Sequence, residues 1–470
     1  MSNTAAKRIG TQKGRDLTTG PIPRQILLFA LPLFLSSLIQ LMYNTVDVFI
    51  AGRFIEGSEA MAAVGASSMI VTLLIMFFNG MSVGANVVAA NAFGSKDGTR
   101  LRDVVHTAVA VSLIGGLLIS VVGFFLSPTI LRWTNTPDEI FAEASSYIRI
   151  YFLGAVSIVC YNIGVGLHRA MGDSKGPLIY QVIGGVINIV LDVVFVVWLH
   201  MGVNGIAVAT LFSQTIPAVI VLWSLARRPG PERLTMRHLT IHKDVFFDIL
   251  RVGIPAAVQA IVITFSNVIV QSQINTFGTQ SIAAFTAYFR VENIMYLPML
   301  AYGQTATTFV GQNVGAGRYD RVREGVRSCL IIGLLTSVVT SGLSILFARP
   351  LFRLFTTDPV VVELAMEFFY LNAALYFIYN FLEVYSGAIR GSGNAVVPMI
   401  IVVFSMCVVR LGFLFLLVGM FHSLLAVAVC YPITWFCASL CLGIYYYAGP
   451  LGKRTRNHIR EYREKSASVQ

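Results

Sequence analysis

Three stretches of the sequence place oxygen-bearing side chains at helical spacing inside runs that are otherwise apolar. Ser36, Gln40, Tyr43, Asn44 and Asp47 recur at helical intervals and form one polar stripe. Gln181, Asn188 and Asp192 follow at i, i+7 and i+11, and Thr210 and Gln214 stand one turn apart. Two carboxylates, an amide and a hydroxyl suit a proton or a dehydrated sodium ion. Hard cations take oxygen ligands, and two carboxylates held close together in low dielectric do not both keep their charge. Counted from the expected outer end of each run, Asp47, Asp192 and Thr210 lie at similar depth, roughly 9–12 Å in at 1.5 Å per residue. The competing reading of Asp47 and Asp192 is hydration near the outer surface.

A second set of ionisable residues follows: Arg290, Glu292, Glu383 and Arg410. Charge in hydrocarbon is costly, so each needs a reason. Their formal charges cancel, and mutual ion pairing is one expectation. The other makes Glu292 or Glu383 a cavity carboxylate for a cationic substrate, with Asn267 and Gln271 on the same surface. Gln40, Tyr43 and Asn44 are the cavity candidates of the first set. Pro32 and Pro255 interrupt the backbone ladder early in their helices. Pro32 reads either as a hinge for the helix that carries Asp47 or as a proline tolerated near a helix start. The seven histidines form no H-E-x-x-H, and no Ser/His/Asp or Cys/His pattern occurs. The expectation is no catalytic site, no cofactor, and no metal other than sodium at the coupling site.

The elements that position these residues are transmembrane helices. Of 470 residues, 56% are hydrophobic and 12% charged, and the mean hydropathy of +0.73 is far above that of a soluble domain. Apolar runs near the ~20 residues needed to cross a bilayer recur along the whole chain. Spans are predicted over 25–51, 61–91, 104–126, 143–168, 178–199 and 203–225, then over 249–275, 282–312, 325–347, 365–389, 397–419 and 424–447. The fold class is all-α, a polytopic membrane protein of twelve transmembrane helices. With the N-terminus placed in the cytoplasm, the tails, the even-numbered loops and the first turn of the spans that follow them hold 27 of the 34 Lys and Arg residues. The outer loops hold Arg53, Arg132, Arg149, Arg349 and Arg353. That bias predicts both termini in the cytoplasm of a prokaryotic plasma membrane. The net charge of +11 therefore faces lipid headgroups and cytosol, and nucleic acid is not an expected partner. No G-x-x-x-x-G-K-[ST] and no loop long enough for a nucleotide-binding domain occurs, which argues against ATP as the energy source.

An offset of 221 residues brings the two halves into register. Gly94 meets Gly315, Arg132 meets Arg353, and Arg169, Gly172 and Pro177 meet Arg390, Gly393 and Pro398. Pro32 meets Pro255 with two residues of slippage. Six spans per half make the halves parallel repeats, two pseudo-symmetric lobes with a cleft suited to alternating access. The expected organisation is a tail over 1–24, an N-lobe over 25–225, a linker over 226–248, a C-lobe over 249–447 and a basic tail over 448–470. The second part of the linker reads equally as an amphipathic surface helix. At the same offsets Asp47, Asn188 and Asp192 meet Val270, Val409 and Phe413, so the carboxylates belong to the first half alone. A cleft within one chain needs no second copy, and a monomer is expected.

These residues, in this order, resemble the multidrug and toxic compound extrusion (MATE) family over almost the whole chain. The carriers are FALPLFLSSLIQLMYNTVDVFIAGRF, AAVGA at 62–66, INIVLD and GVNGIAVATLFSQ, with FVGQNVGAGRYDRVREG and AIRGSGNAVVP in the second half. The resemblance implies export of cationic, amphipathic compounds by proton or sodium antiport. It places the coupling-cation site on Asp47, Asn188, Asp192 and Thr210 and the bend of the first helix on Pro32. The acidic residues that one branch carries in the seventh and tenth helices fall here on Ile263 and Tyr379. A second-lobe cation site is therefore expected to be absent. The rival reading is a flippase for a lipid-linked oligosaccharide or another polar lipid.

Overall fold

In a bilayer every backbone N–H and C=O must find its partner within the chain, and long helices satisfy that demand locally. The computed structural model describes residues 15–55 and 58–467, with side chains other than those of 58–70 and 462–467. Residues 1–14 of the expected N-terminal tail, 468–470 of the C-terminal one and the side chains of AAVGA lie outside the described residues. The first half runs α1 (Ile22–Phe54), α2 (Ser58–Gly94), α3 (Gly98–Trp133), α4 (Asp138–Leu153), α5 (Ala155–Ala170), α6 (Lys175–Asp192) and α7 (Gly202–Ala226). The second runs α8 (Lys243–Asn275), α9 (Thr279–Gly315), α10 (Tyr319–Leu346), the short α11 (Ala348–Arg353), α12 (Pro359–Leu375), α13 (Phe377–Gly391), α14 (Val396–Val403), α15 (Arg410–Phe421) and α16 (Leu424–Ala448). The basic α17 (Pro450–Ala467) follows.

Among the described residues nine helices are long and apolar enough to span a membrane. The bent pairs α4–α5 (43°) and α12–α13 (53°) raise the number to eleven. The remaining expected span lies in α9, a continuous helix of 37 residues. Its length suffices, but Arg290, Glu292, Asn293 and a run of Thr and Gln residues dilute its hydropathy. Arg149, expected in an outer loop, instead lies three turns inside α4.

The repeat is written into the backbone. Lys96 and Gly317, 221 residues apart, both take a left-handed conformation (φ 57° and 68°) after a helix end, as do Gly172 and Gly393 (φ 76° and 91°). The same closing bonds recur: Asp97 N to Ala92 O (3.2 Å) and Arg318 N to Asn313 O (2.8 Å), Gly172 N to Arg169 O and Gly393 N to Arg390 O (both 2.9 Å).

The chain forms two compact units. One holds Leu35–Ala257 with the described residues up to Asp16; the other holds Leu17–Phe34 and the described residues from Val258 onward. The handovers fall inside α1 and α8, in each case two residues after a proline, Pro32 and Pro255. Ile26, Phe29 and Leu33 of α1 are accordingly buried in the core of the second unit. The start of α8 packs in the first, where a Cβ at Gly80 of α2 would lie 2.3 Å from Ala257 N and one at Gly84 2.4 Å from Ile249 O. Residues 227–242 carry a single helical turn, Met236–His238, and not the amphipathic helix weighed from the sequence. This segment spends its polar groups on α3. Thr235 N donates to His106 Nε2 (3.2 Å), and His242 N donates to Thr107 Oγ1 (3.1 Å).

The close approach of α2 to α8 makes a direct test. Gly80→Ala should lower stability by about 1–3 kcal/mol through overpacking. Gly115→Ala, where an added Cβ meets nothing within 4 Å, should leave it unchanged. Thermal unfolding in detergent compares the two.

Candidate functional site

The first unit gathers its polar side chains from α1, α6 and α7. Asp192, the last residue of α6, is fully buried, and Asn188 one turn earlier is buried at 1% exposure. Directly after Asp192 the helix widens into a π turn, Val193–Trp198, in which Leu199 N reaches back five residues to Val194 O (3.0 Å). Such turns occur often at functional sites. Asp47 of α1 is half-buried, and its carboxyl lies within hydrogen-bonding reach of that of Asp192. Asp47 Oδ1, both Asp192 oxygens and both polar atoms of the Asn188 amide are buried and have no hydrogen-bond partner. Rich in unpartnered oxygens, this cluster fits a proton or a small hard cation.

One layer away, Tyr161 donates to Gln181 Oε1 (2.5 Å), and Gln181 Nε2 and Gln214 Nε2 both point to the Tyr43 hydroxyl (3.2 and 3.5 Å). Tyr43 is thereby fixed one turn from Asp47. Gln40 and Asn44 are exposed on the same helix. Thr210 is half-buried on α7, and its hydroxyl makes no direct hydrogen bond to Asp47, Asn188 or Asp192. Three residues escaped the sequence reading. Tyr147 of α4 stands close enough to both carboxyls to feel their charge, and Tyr151 neighbours Tyr147 and Tyr43. Tyr161 ends the hydrogen-bonded chain. The i, i+4 spacing of Tyr147 and Tyr151 was the available signal, but aromatic residues in an apolar span read as packing.

In the second unit Arg290, Glu292, Glu383 and Arg410 do not pair with one another. Arg410 is buried, donates to Asn267 Oδ1 (2.9 Å) and stacks 4.6 Å from the Tyr431 ring centre. Arg290 is exposed and lies over Phe355 at 5.9 Å. Glu292 accepts from the Tyr376 hydroxyl (3.3 Å) and Glu383 from that of Tyr379 (3.2 Å). The expected mutual ion pairs are replaced by neutral donors and ring faces. Gln271 bonds Asn275 one turn along its own helix (3.0 Å) and is no partner of Asn267. Ile263 packs against the core. Tyr379, at the other family acid position, reaches an acid one turn further on.

A second π turn, Phe404–Val409, precedes Arg410. Its extra residue moves everything beyond it by one position on the helix face. Arg410 and Leu414 are buried where the offset of 221 pointed to Val409 and Phe413, of which the first is half-exposed and the second exposed. The helix-face counterpart of Asn188 in the second unit is thus Arg410.

Membrane-length helices in two repeated units, one of which holds buried carboxylates beside an unpartnered amide, define a polytopic helical transporter. The MatE family profile matches residues 32–194 and 255–416, once in each half. The chain belongs to this family, the multidrug and toxic compound extrusion transporters, whose members are not enzymes. It is 28% identical over 432 residues to the probable multidrug resistance protein YoeA of Bacillus subtilis, covering 90% of this chain and 93% of that one. It is 26% identical to the probable multidrug resistance protein NorM of Thermotoga maritima, covering 85% and 87%. A crystal structure of MATE in complex with MaL6 superposes with a TM-score of 0.90 at 24% identity, over 95% of this chain and 100% of that one. These relatives do not favour the flippase reading, and bacterial relatives place the chain in a plasma membrane.

Asn188 separates function from stability. An unpartnered buried amide costs about 1–3 kcal/mol, so Asn188→Leu should melt at or above the wild-type temperature while transport is lost. A variant that melts lower and still transports would assign Asn188 a packing role.

Proposed function

We propose that the chain is a secondary antiporter that exports amphipathic, cationic drugs or metabolites in exchange for H⁺ or Na⁺ by alternating access. The observation that carries this reading is the contact between the Asp47 and Asp192 carboxyls beside the unpartnered Asn188 amide. An ion bound there would neutralise a charge that hydrocarbon penalises, and its release would restore that charge. Ion occupancy can thereby bias a conformational equilibrium, provided the two conformations differ in affinity for the ion. Thr210, half-buried on α7, would complete the ligand set. Gln40, Tyr43 and Asn44 would line the substrate path, and Pro32, whose missing N–H leaves the Leu28 carbonyl without its helical donor, would be the hinge of α1.

In the second unit Glu292, Glu383 and Asn267 serve the substrate and not the coupling ion. The family names of the relatives, multidrug resistance proteins, support the substrate class. The charge bias supports cytoplasmic termini. The chain is proposed to work as a monomer in contact with membrane lipid, with no cofactor, nucleotide or nucleic acid.

Asp47→Asn and Asp192→Asn should each abolish uptake of a dye cation into inverted vesicles while the melting temperature stays near wild type. Wild-type export by either variant would remove the carboxyl pair from the coupling mechanism. Imposed separately, a pH gradient and a sodium gradient identify the ion. Export driven by neither would rule out ion antiport.

A further inference from the structure

One cation in the first unit has no part in the site above. Arg149 lies eleven residues past Asp138, roughly 16 Å along α4 at 1.5 Å per residue. It is exposed, its guanidinium sits 5.4 Å from the Phe124 ring centre, and among the described residues it has no carboxylate or hydrogen-bond partner. A guanidinium left without an anion in hydrocarbon is costly, so its charge must be met from outside the chain.

The surroundings are shaped to meet it. Two glycines draw α3 against the bent pair: a Cβ at Gly123 would lie 2.1 Å from the Phe152 ring, and one at Gly116 2.8 Å from Val156 Cα. Beyond Gly123 the helices part around Pro128 and leave a groove of about 550 Å³, lined by Phe124, Pro128, Phe141, Ser145, Ser146 and Arg149. Arg132 stacks on Phe141 at its rim, 5.7 Å from the ring centre. The neighbouring Phe125 and Leu153 are 72% and 50% exposed, so the groove opens onto the apolar surface that faces lipid. A long arginine side chain leans toward the N-terminal end of its helix, which carries the charge toward headgroup level. In the second half Met366, Glu367 and Tyr370 stand at the places of Ser145, Ser146 and Arg149. The repeated architecture therefore does not require this cation.

We propose that the groove between α3 and α4 holds an anionic phospholipid, in the orientation proposed above one from the outer leaflet. Its phosphodiester meets Arg149 and the hydroxyls of Ser145 and Ser146, and an acyl chain lies along Phe124 and Phe141. The lipid is resident on the transporter and is not its cargo.

Native mass spectrometry of the full chain in detergent tests this, with phosphatidylglycerol and phosphatidylethanolamine of matched chains offered together. Wild type should retain one phosphatidylglycerol in preference. Arg149→Gln should lose that preference by roughly fivefold, the worth of one cation near a lipid surface. Ser146→Trp, which fills the groove and keeps the cation, should lose it equally, and it decides the matter if Arg149→Gln does not fold. Arg454→Gln, on α17, should change nothing. Undiminished preference in Arg149→Gln or Ser146→Trp would overturn the proposal. So would an equal loss in Arg454→Gln, or release of the lipid by millimolar inorganic phosphate.

Discussion

A polar atom inside a bilayer has only the chain itself, or what the chain binds, as a partner. Many of the helix-borne threonine hydroxyls meet that constraint within their own helix. Thr264, Thr286, Thr305 and Thr336 each donate to the carbonyl four residues back on their own helix, a bond that costs no tertiary contact. Glu292, Glu383 and Arg410 of the second unit find tyrosine hydroxyls, an asparagine and a ring face. The cluster of Asp47, Asn188 and Asp192 instead gathers five unpartnered buried polar atoms in one place. It brings two carboxyls and one amide together without satisfying them, and the polar layer around it, Tyr43 held by Gln181 and Gln214, fixes the positions of its neighbours.

The two halves share a backbone and differ in what it carries. Left-handed residues, closing hydrogen bonds and bent helix pairs recur at one offset, so the loops and helix ends are under the same geometric demand twice. The π turns break that equivalence, because one follows Asp192 and the other precedes Arg410. In the first half the wide turn leaves the acidic face of α6 undisturbed. In the second it rotates an arginine into the buried position.

Helix count, class and repeat were legible in the sequence because hydropathy, punctuation and spacing survive in one dimension. The stripe from Ser36 to Asp47 and the spacing of Asn188 and Asp192 were legible for the same reason. The partners of Arg410 were not, because a π turn leaves no composition signal and shifts the helix face by one residue. The tyrosines near the carboxyls were hidden by their chemistry, since a phenol packs as readily as it donates. Arg149 was counted with the outer loops although the predicted span 143–168 already contained it, because a charge near a span end reads as loop.

The handovers inside α1 and α8 bear on how the chain comes to be assembled. Synthesis delivers α1 first, yet its opening turns belong to a core built from residues far downstream. The first unit in turn stays unfinished until the start of α8 has emerged, beyond the segment that looks like a natural cut. Co-expressed fragments divided between residues 227 and 242 would each begin with the wrong half-helix and would need each other to fold. The cut that separates the lobes in sequence is therefore not the cut that separates them in space.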